Sequence, residues 1–155
     1  MTLIGYDSVN PQDIPADAAV IFPYADGEFR WTAKDLHRFP HAARRFITID
    51  ANAKLANIFD VERGAGTVAQ ARPFVEERLR RFPNTIPTIY CNRSTADLVI
   101  PDLHGLAWRL FLATLDGSKP TSYGGKHCGA VQFKGGAGAP YDESVIFDTS
   151  WPRKP

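Results

Sequence analysis

Several strand-length segments of this chain are continuously apolar rather than alternating, as in AVIF at 19–22, PTIYC at 87–91 and SVIF at 144–147. Strands covered on both faces have such continuous runs, which are typical of parallel sheets in α/β proteins. Half-exposed strands would instead alternate between apolar and polar side chains. The chain is therefore predicted to fold around a sheet that is covered on both faces.

Eight apolar runs bounded by turn residues are predicted strands, and two to four helices accompany them. The clearest helix has Thr67 as its N-cap and ends before Pro83. Shorter helices are predicted at Ala33–Phe39 and Ser94–Leu98, and Leu103–Trp108 is ambiguous. The predicted strands are Leu3–Tyr6, Ala19–Tyr24, Arg45–Ile49, Ile58–Val61, Ile86–Cys91, Arg109–Leu115, Ala130–Phe133 and Ser144–Phe147.

The composition and the charge exclude several classes of protein. With 44% apolar and 23% charged residues in a chain of 155, we expect one globular domain spanning residues 1–155. The 18 basic and 17 acidic residues form no basic stripe, which argues against a nucleic-acid partner. No apolar segment approaches the roughly 18 residues that would insert into a membrane. The first ten residues lack the pattern of a signal peptide, so synthesis in the cytoplasm is expected.

Acidic residues follow several of the predicted strands, and Asp142 stands just before the last one. In parallel α/β sheets the carboxyl ends of the strands converge on one face, where functional sites are built. Acidic residues at strand ends also serve as turn formers and helix caps. Both interpretations stay open for the acids after the strands, which are Asp7, Asp26, Asp50, Asp60, Glu62 and Asp148.

The D-x-E pattern of Asp60 and Glu62 is the most informative of these features. Side chains two residues apart on a strand point to the same face, about 7 Å apart. Apolar neighbours and mutual repulsion are expected to raise the pKa of one carboxyl and leave the other ionised. Such a pair suits general acid chemistry beside a charge-stabilising carboxylate, as in glycoside hydrolysis.

An ordered series of fragments resembles glycoside hydrolase family 25, the lysozyme (N-acetylmuramidase) family that is common among bacteriophage endolysins, and related glycoside-hydrolase-like domains. No single fragment is specific, but their order along the chain strengthens the resemblance. The fragments are GYDSVN at 5–10, IFDVERG at 58–64, ARPFVEERLRRF at 71–82, TIPTIYCN at 85–92, LFLATLDG at 110–117, AVQF at 130–133 and YDESVIF at 141–147.

The resemblance implies roles for four carboxyls. Glu62 would be the catalytic acid/base, and Asp60 its partner, which stabilises the oxocarbenium-like charge or orients the substrate's N-acetyl group. Asp7 and Asp142 would complete an acidic floor. It implies no cofactor.

Aromatic side chains near strand ends are candidates for sugar binding. Tyr90 is the best of them because its position matches the family's I-Y-T/S strand, and Tyr24, Trp31 and Trp151 are the others. No metal site is expected, because the lone pair of histidines at helical spacing is interrupted by Pro40. Cys91 and Cys128 are expected to be free thiols.

Three functional hypotheses follow from the resemblance, and the third of them is a hydrolase of the same shape that acts on another bond. The first is a peptidoglycan glycan-strand hydrolase, a glycosidase of the lysozyme type that degrades the cell wall after release from the cytoplasm or as a phage component. The second is a non-catalytic barrel module that binds a glycan or a partner in a virion or a cell-wall-associated protein. The family's W-x-A and W-Q-Y aromatics are replaced here, which favours the second hypothesis. The oligomeric state is left open.

The chain is short for the fold that this resemblance implies. An eight-fold β/α barrel usually takes about 250 residues, so one of 155 residues must have lost several outer helices. The predicted fold is therefore α/β, a shortened, irregular TIM-like β/α barrel with about eight strands and few outer helices. Within it, the strand, helix and strand around Ile58–Cys91 predict a parallel βαβ unit.

The connection between Asp50 and Ile58 does not fit a regular barrel. Its seven residues are too few for a parallel crossover, which needs about a dozen or more. The strands on either side are expected to pair antiparallel, or one of them is not a barrel strand.

Overall fold

Ten strands and three α-helices make up residues 2–151, the part of the chain that this computed structural model describes. The strands are β1 Leu3–Asp7, β2 Val20–Ile21, β3 Ala43–Arg44, β4 Ile47–Thr48, β5 Ile58–Asp60, β6 Thr88–Asn92, β7 Arg109–Ala113, β8 Ser122–Tyr123, β9 Lys126–Lys134 and β10 Asp142–Ile146. The helices are α1 Ala33–His37, α2 Val68–Arg81 and α3 Arg93–Asp102, with a short 3₁₀ turn at Pro11–Asp13.

Nine of the strands form one curled, mixed sheet in the order β3-β2-β1-β10-β9-β7-β6-β5-β4, and β8 pairs with β9. The run from β4 to β7 is parallel, β9 joins it in parallel, and β10 is antiparallel to both β9 and β1. The predicted α/β class with few helices is confirmed, and the predicted parallel pairing on either side of the long helix is present between β5 and β6.

The two ends of this sheet approach each other. Strands β3 and β4 are the end strands of the order, yet they are separated by two residues in the sequence. The backbone N–H of Ile47 donates to the Pro23 carbonyl at 2.8 Å, and that of Ala25 donates to the Ile47 carbonyl at 2.8 Å. The continuation of β2 therefore lies alongside β4, and the sheet curls strongly.

Strands β4 and β5 pair in parallel, so the expected antiparallel pairing is wrong. Both strands also belong to the main sheet, so neither of them is excluded from it as the alternative expected. The rule that a parallel connection needs about a dozen residues applies to strands of ordinary length. Strand β4 has only two residues, so the chain returns over about 7 Å, a distance that an irregular loop covers. The loop turns back at Asp50, whose carboxylate accepts from the Asn52 N–H at 2.9 Å.

The helices lie near their predicted positions. Helix α2 begins after Thr67, which forms a capping box with Gln70, and its apolar face is buried by Ala71, Phe74 and Val75. Helix α3 extends beyond the predicted segment at both ends, and the Asn92 side chain caps its first turn. Helix α1 is two residues shorter than predicted. No helix within residues 2–151 combines the length and the apolar character that crossing a membrane requires.

The inside of the curl is a packed apolar core with contributions from nearly every strand. The rings of Phe22, Phe111 and Trp151 pack together there, with centroids 5.1–5.7 Å apart. A side chain at Gly5 would have its Cβ 2.4 Å from the Phe22 ring, so β1 needs a glycine at this point. This packing fills the middle of the curl and leaves the carboxyl ends of β1 and β5 for polar side chains.

Candidate active site

Four carboxyl groups meet at one end of the curled sheet. Asp7 is the last residue of β1, Asp60 is the last of β5, and Glu62 follows two residues later. Asp142 is the first residue of β10, but β10 is antiparallel to β1, and Asp142 pairs in register with Asp7. The structure thus brings together the four acids that the sequence resemblance indicated.

Asp7 and Asp142 form a hydrogen-bonded carboxyl pair, which requires a proton on one of them. Burial raises the pKa of Asp7 well above its ordinary value, and the neighbouring Asp142 raises it further. Asp142 Oδ1 also accepts from the Gly136 N–H at 2.7 Å. Burial and the neighbouring acid therefore favour the protonated form of Asp7. Gly135 makes this packing possible, since a Cβ there would overlap Asp142 Oδ1.

Asp60 is 5% exposed, and its Oδ1 has no hydrogen-bond partner among the described residues. Burial, and then repulsion from Glu62, raises the pKa of Asp60 to about 8. Asp60 is therefore mostly protonated at neutral pH. An unpartnered polar atom inside a protein costs free energy, so this oxygen does not stabilise the fold. It is free to form a hydrogen bond with a ligand.

Glu62 is half-buried beside Asp60, in a turn that the glycines of the IFDVERGAG segment make possible. Its carbonyl accepts from the Ala65 N–H at 3.0 Å, and Gly64 has a positive φ of 89°. Gly66 donates to the Asp60 carbonyl at 2.9 Å, and a Cβ there would lie 2.2 Å from the Phe59 ring. These contacts fix the turn that carries the Glu62 side chain.

The pKa of Glu62 is also raised, first by burial and then by Asp142. The sequence led us to expect one raised carboxyl and one ordinary one, whereas the structure raises the pKa of both. The larger rise is at Asp60, because this side chain is more deeply buried than Glu62.

Side-chain contacts with the fold separate Asp60 and Glu62 from the other acids at strand ends. Asp26 accepts from the Thr48 hydroxyl and from the Ile49 N–H. Asp148 pairs with Arg109, and Asp50 stabilises its own turn. None of the four clustered carboxyls forms an ion pair within residues 2–151. The turn-forming interpretation therefore applies to Asp26, Asp50 and Asp148.

Tyr90 lies beside the carboxyls, and its hydroxyl donates to Gln132 Oε1 at 2.6 Å. Burial, followed by the charge of Glu62, raises its pKa well above 10. Sequence reasoning missed Gln132, although it stands in the AVQF fragment that carries the resemblance. Its two-residue spacing from Ala130, a core residue, predicts that it faces the same side of β9.

The two candidate tryptophans are not part of this cluster. Trp31 packs against Phe39 in a separate apolar cluster, and its indole N–H donates to the Ser8 carbonyl at 3.1 Å. Trp151 follows β10 beyond the opposite end of that strand from Asp142 and packs inside the core, with Arg109 over its ring at 5.0 Å. Both rings are covered by protein, so neither serves as a sugar platform.

A cleft of about 270 Å³ opens beside Asp60 and Glu62. Tyr24, another candidate from the sequence, lines it, and burial raises the pKa of its hydroxyl. Phe29 also lines it and was missed by sequence reasoning. The sequence feature that could have indicated Phe29 is its position as an apolar residue between two charged loop residues, Glu28 and Arg30.

Other kinds of chemistry have less support at this site. No three histidine, cysteine, aspartate or glutamate side chains in the described range are placed to hold a metal ion. Burial raises the pKa of Cys91 to about 12 and that of Cys128 to about 11. Both therefore stay protonated at neutral pH and are poor nucleophiles.

No protein-family model, no curated protein and no solved structure matches this chain. The geometry itself establishes a cluster of four carboxyls without cationic partners in residues 2–151, two of which line an open cleft.

Proposed function

We propose that this protein is a peptidoglycan glycan-strand hydrolase of the lysozyme type, built on a shortened TIM-like barrel. The observation that supports it best is the pair Asp60 and Glu62, two desolvated carboxyls that line one cleft and have raised pKa values. Two carboxyls in distinct environments are the usual equipment for cleaving a glycosidic bond.

Glu62 is the proposed acid/base. It is less buried than Asp60 and lines the cleft directly, so it has access to a bound glycosidic oxygen. Its raised pKa brings it nearer to neutrality, where a general acid is most effective. In the reaction it donates its proton to the leaving oxygen as the bond from that oxygen to the anomeric carbon breaks, and it later takes a proton from the incoming water.

Asp60 is the proposed partner, and it also stores the proton. At neutral pH its raised pKa keeps one proton on the Asp60–Glu62 pair in the free protein. Transfer of that proton to Glu62 gives Glu62 the protonated form in which it acts as the general acid. It leaves Asp60 as a carboxylate, which can stabilise positive charge on the sugar ring or accept from the N–H of an N-acetyl group.

Asp7 and Asp142 act through this pair rather than on the bond. The charge of Asp142 contributes to the raised pKa of Glu62. Protonated Asp7 fills the space beneath with a hydrogen-bonded, uncharged group. Tyr90 is held by Gln132 and forms a rigid wall beside them.

The test is digestion of purified peptidoglycan, with mass spectrometry of the soluble products. We expect muropeptides with new reducing ends from the wild type and none from Glu62→Gln. The matched control is Glu143→Gln, because Glu143 is a neighbouring glutamate that pairs with Lys134 instead of lining the cleft. Its activity should be retained.

Equal product from Glu62→Gln and the wild type would overturn the proposed mechanism. Binding of the glycan without release of reducing ends, unchanged by Glu62→Gln, would support the second hypothesis of a binding module. Thermal unfolding of each variant separates loss of activity from loss of fold.

A further inference from the structure

Phe29 is an exposed aromatic ring in the wall of the carboxyl cleft. Its side chain is 45% exposed, which is unusual for a phenylalanine in a folded domain. The ring stands edge-on to Tyr24 at a centroid distance of 6.3 Å, and both residues line the cleft that contains Asp60 and Glu62. The cleft therefore combines aromatic rings with carboxyl groups.

The loop that carries Phe29 is held in place by its backbone. Its ends are joined by the Trp31 N–H, which donates to the Tyr24 carbonyl at 3.0 Å. Asp26 ties the loop to Thr48 and Ile49 at the end of β4. Phe29 is thus presented by a braced loop rather than by a free loop tip.

A sugar ring matches this combination of aromatic and carboxyl groups. Pyranose rings have an apolar C–H face that packs on an aromatic ring, and hydroxyl and amide groups around the edge that bond to carboxyls. Four acidic side chains line the same cleft. Asp60 is mostly protonated, and the other three are Asp26, Glu28 and Glu62. Arg63 is the only basic one among the described lining residues, so the local charge disfavours an anionic ligand.

We propose that Phe29 is a specificity-determining platform on which an uncharged N-acetylhexosamine ring stacks, next to the bond that Glu62 cleaves. This inference rests on the proposed function and adds to it a residue that recognises the sugar. Phe29 holds substrate and takes no part in proton transfer, so its loss weakens binding more than the chemical step.

The first experiment measures binding in the Glu62→Gln background, where no turnover occurs. The probe is the tetrasaccharide of N-acetylglucosamine, titrated by calorimetry or by NMR. We expect Phe29→Ala to weaken binding about tenfold and Phe29→Trp to restore it. The matched control is Phe82→Ala, which removes a 41% exposed phenylalanine that is not part of this cleft. Its affinity should be unchanged.

The second experiment uses the otherwise wild-type chain with cell-wall glycan as substrate. Phe29→Ala should raise KM about tenfold and change kcat by less than twofold, whereas a merely structural role would lower the melting temperature instead. Equal effects of Phe29→Ala and Phe82→Ala would overturn the inference, and hydrolysis that depends on Glu62 would leave the proposed function standing. If the wild type neither binds nor cleaves either glycan, both proposals fail.

Discussion

Replacing Asp60 with asparagine should stabilise this protein at neutral pH and leave it unchanged in acid. The carboxyl is almost fully buried, and one of its oxygens has no hydrogen-bond partner among the described residues. In the unfolded chain the same carboxyl is hydrated and ionises freely. Folding at neutral pH must therefore place a proton on Asp60, whereas an asparagine side chain is uncharged in both states.

The size of the effect follows from the two pKa values. The pKa of Asp60 is raised from its ordinary value of 3.8 to about 8 in the folded protein. Between these values the folded state holds more protons than the unfolded state, so the free energy of unfolding falls as the pH rises. Each pH unit removes about 1.4 kcal/mol, or about 4 kcal/mol between pH 4 and pH 7. The decline from this group ends above pH 8.

Thermal and urea unfolding between pH 3 and pH 9 would measure this difference. We expect Asp60→Asn to match the wild type near pH 3 and to exceed it by up to about 4 kcal/mol at pH 7, which corresponds to roughly 8–16 °C in Tm. The matched control is Asp26→Asn. Asp26 accepts from Thr48 and Ile49, so its replacement should cost about 1–3 kcal/mol at pH 7.

The opposite signs of these two variants make the reasoning refutable. If Asp60→Asn were no more stable than the wild type at pH 7 and had the same pH dependence, Asp60 would be ionised in the folded protein. The proton that the proposed mechanism stores on it would then be absent. Asp7 and Glu62 also have raised pKa values, so part of the decline should persist in Asp60→Asn.

Two further predictions concern the same region. The rate of hydrolysis, measured as kcat/KM against pH, should fall above about pH 8, because the carboxyl pair then loses its last proton; a rate that keeps rising to pH 10 would contradict this. Gly66→Ala should cost about 2–4 kcal/mol in urea unfolding, since its Cβ would collide with the Phe59 ring and the Asp60 carbonyl. Gly64→Ala, where only the positive φ of 89° opposes a side chain, should cost about 1–2 kcal/mol, and equal costs would refute the packing argument.

Local patterns predicted the elements of this fold better than their connections. The α2 helix and its Thr67 cap are encoded within one segment, as is the strand that ends at Asp60. The parallel pairing of β4 with β5 depends on β4 having only two residues, which an apolar run of five does not indicate. The antiparallel β10 depends on the Gly135–Gly136 turn and on the space beside β1.

At the site, too, local patterns predicted which residues are involved better than they predicted the tertiary contacts of those residues. The D-x-E pattern picked out Asp60 and Glu62, but β5 ends at Asp60 and Glu62 lies in the turn that follows it, so the predicted shared strand face is not what brings them together. Which carboxyl holds the proton depends on burial by distant segments. Trp151 was a candidate for sugar binding because tryptophan suits both a core and a platform. Its contact with Phe22 and Phe111 is a tertiary fact that no local pattern contains.

The absence of partners is a stronger argument for chemistry than the position of an acid at a strand end. Asp26 and Asp148 also stand near strand ends, and both are used by the fold through hydrogen bonds or an ion pair. One carboxyl oxygen of Asp60 has no such contact within residues 2–151. The raised pKa of Asp60 also lowers the free energy of unfolding by about 4 kcal/mol at pH 7. A domain of this size has a total stability of only about 5–15 kcal/mol. A carboxyl that lowers the stability by such a fraction, in a position where asparagine would fit, is expected where the ionisable group itself is needed for function.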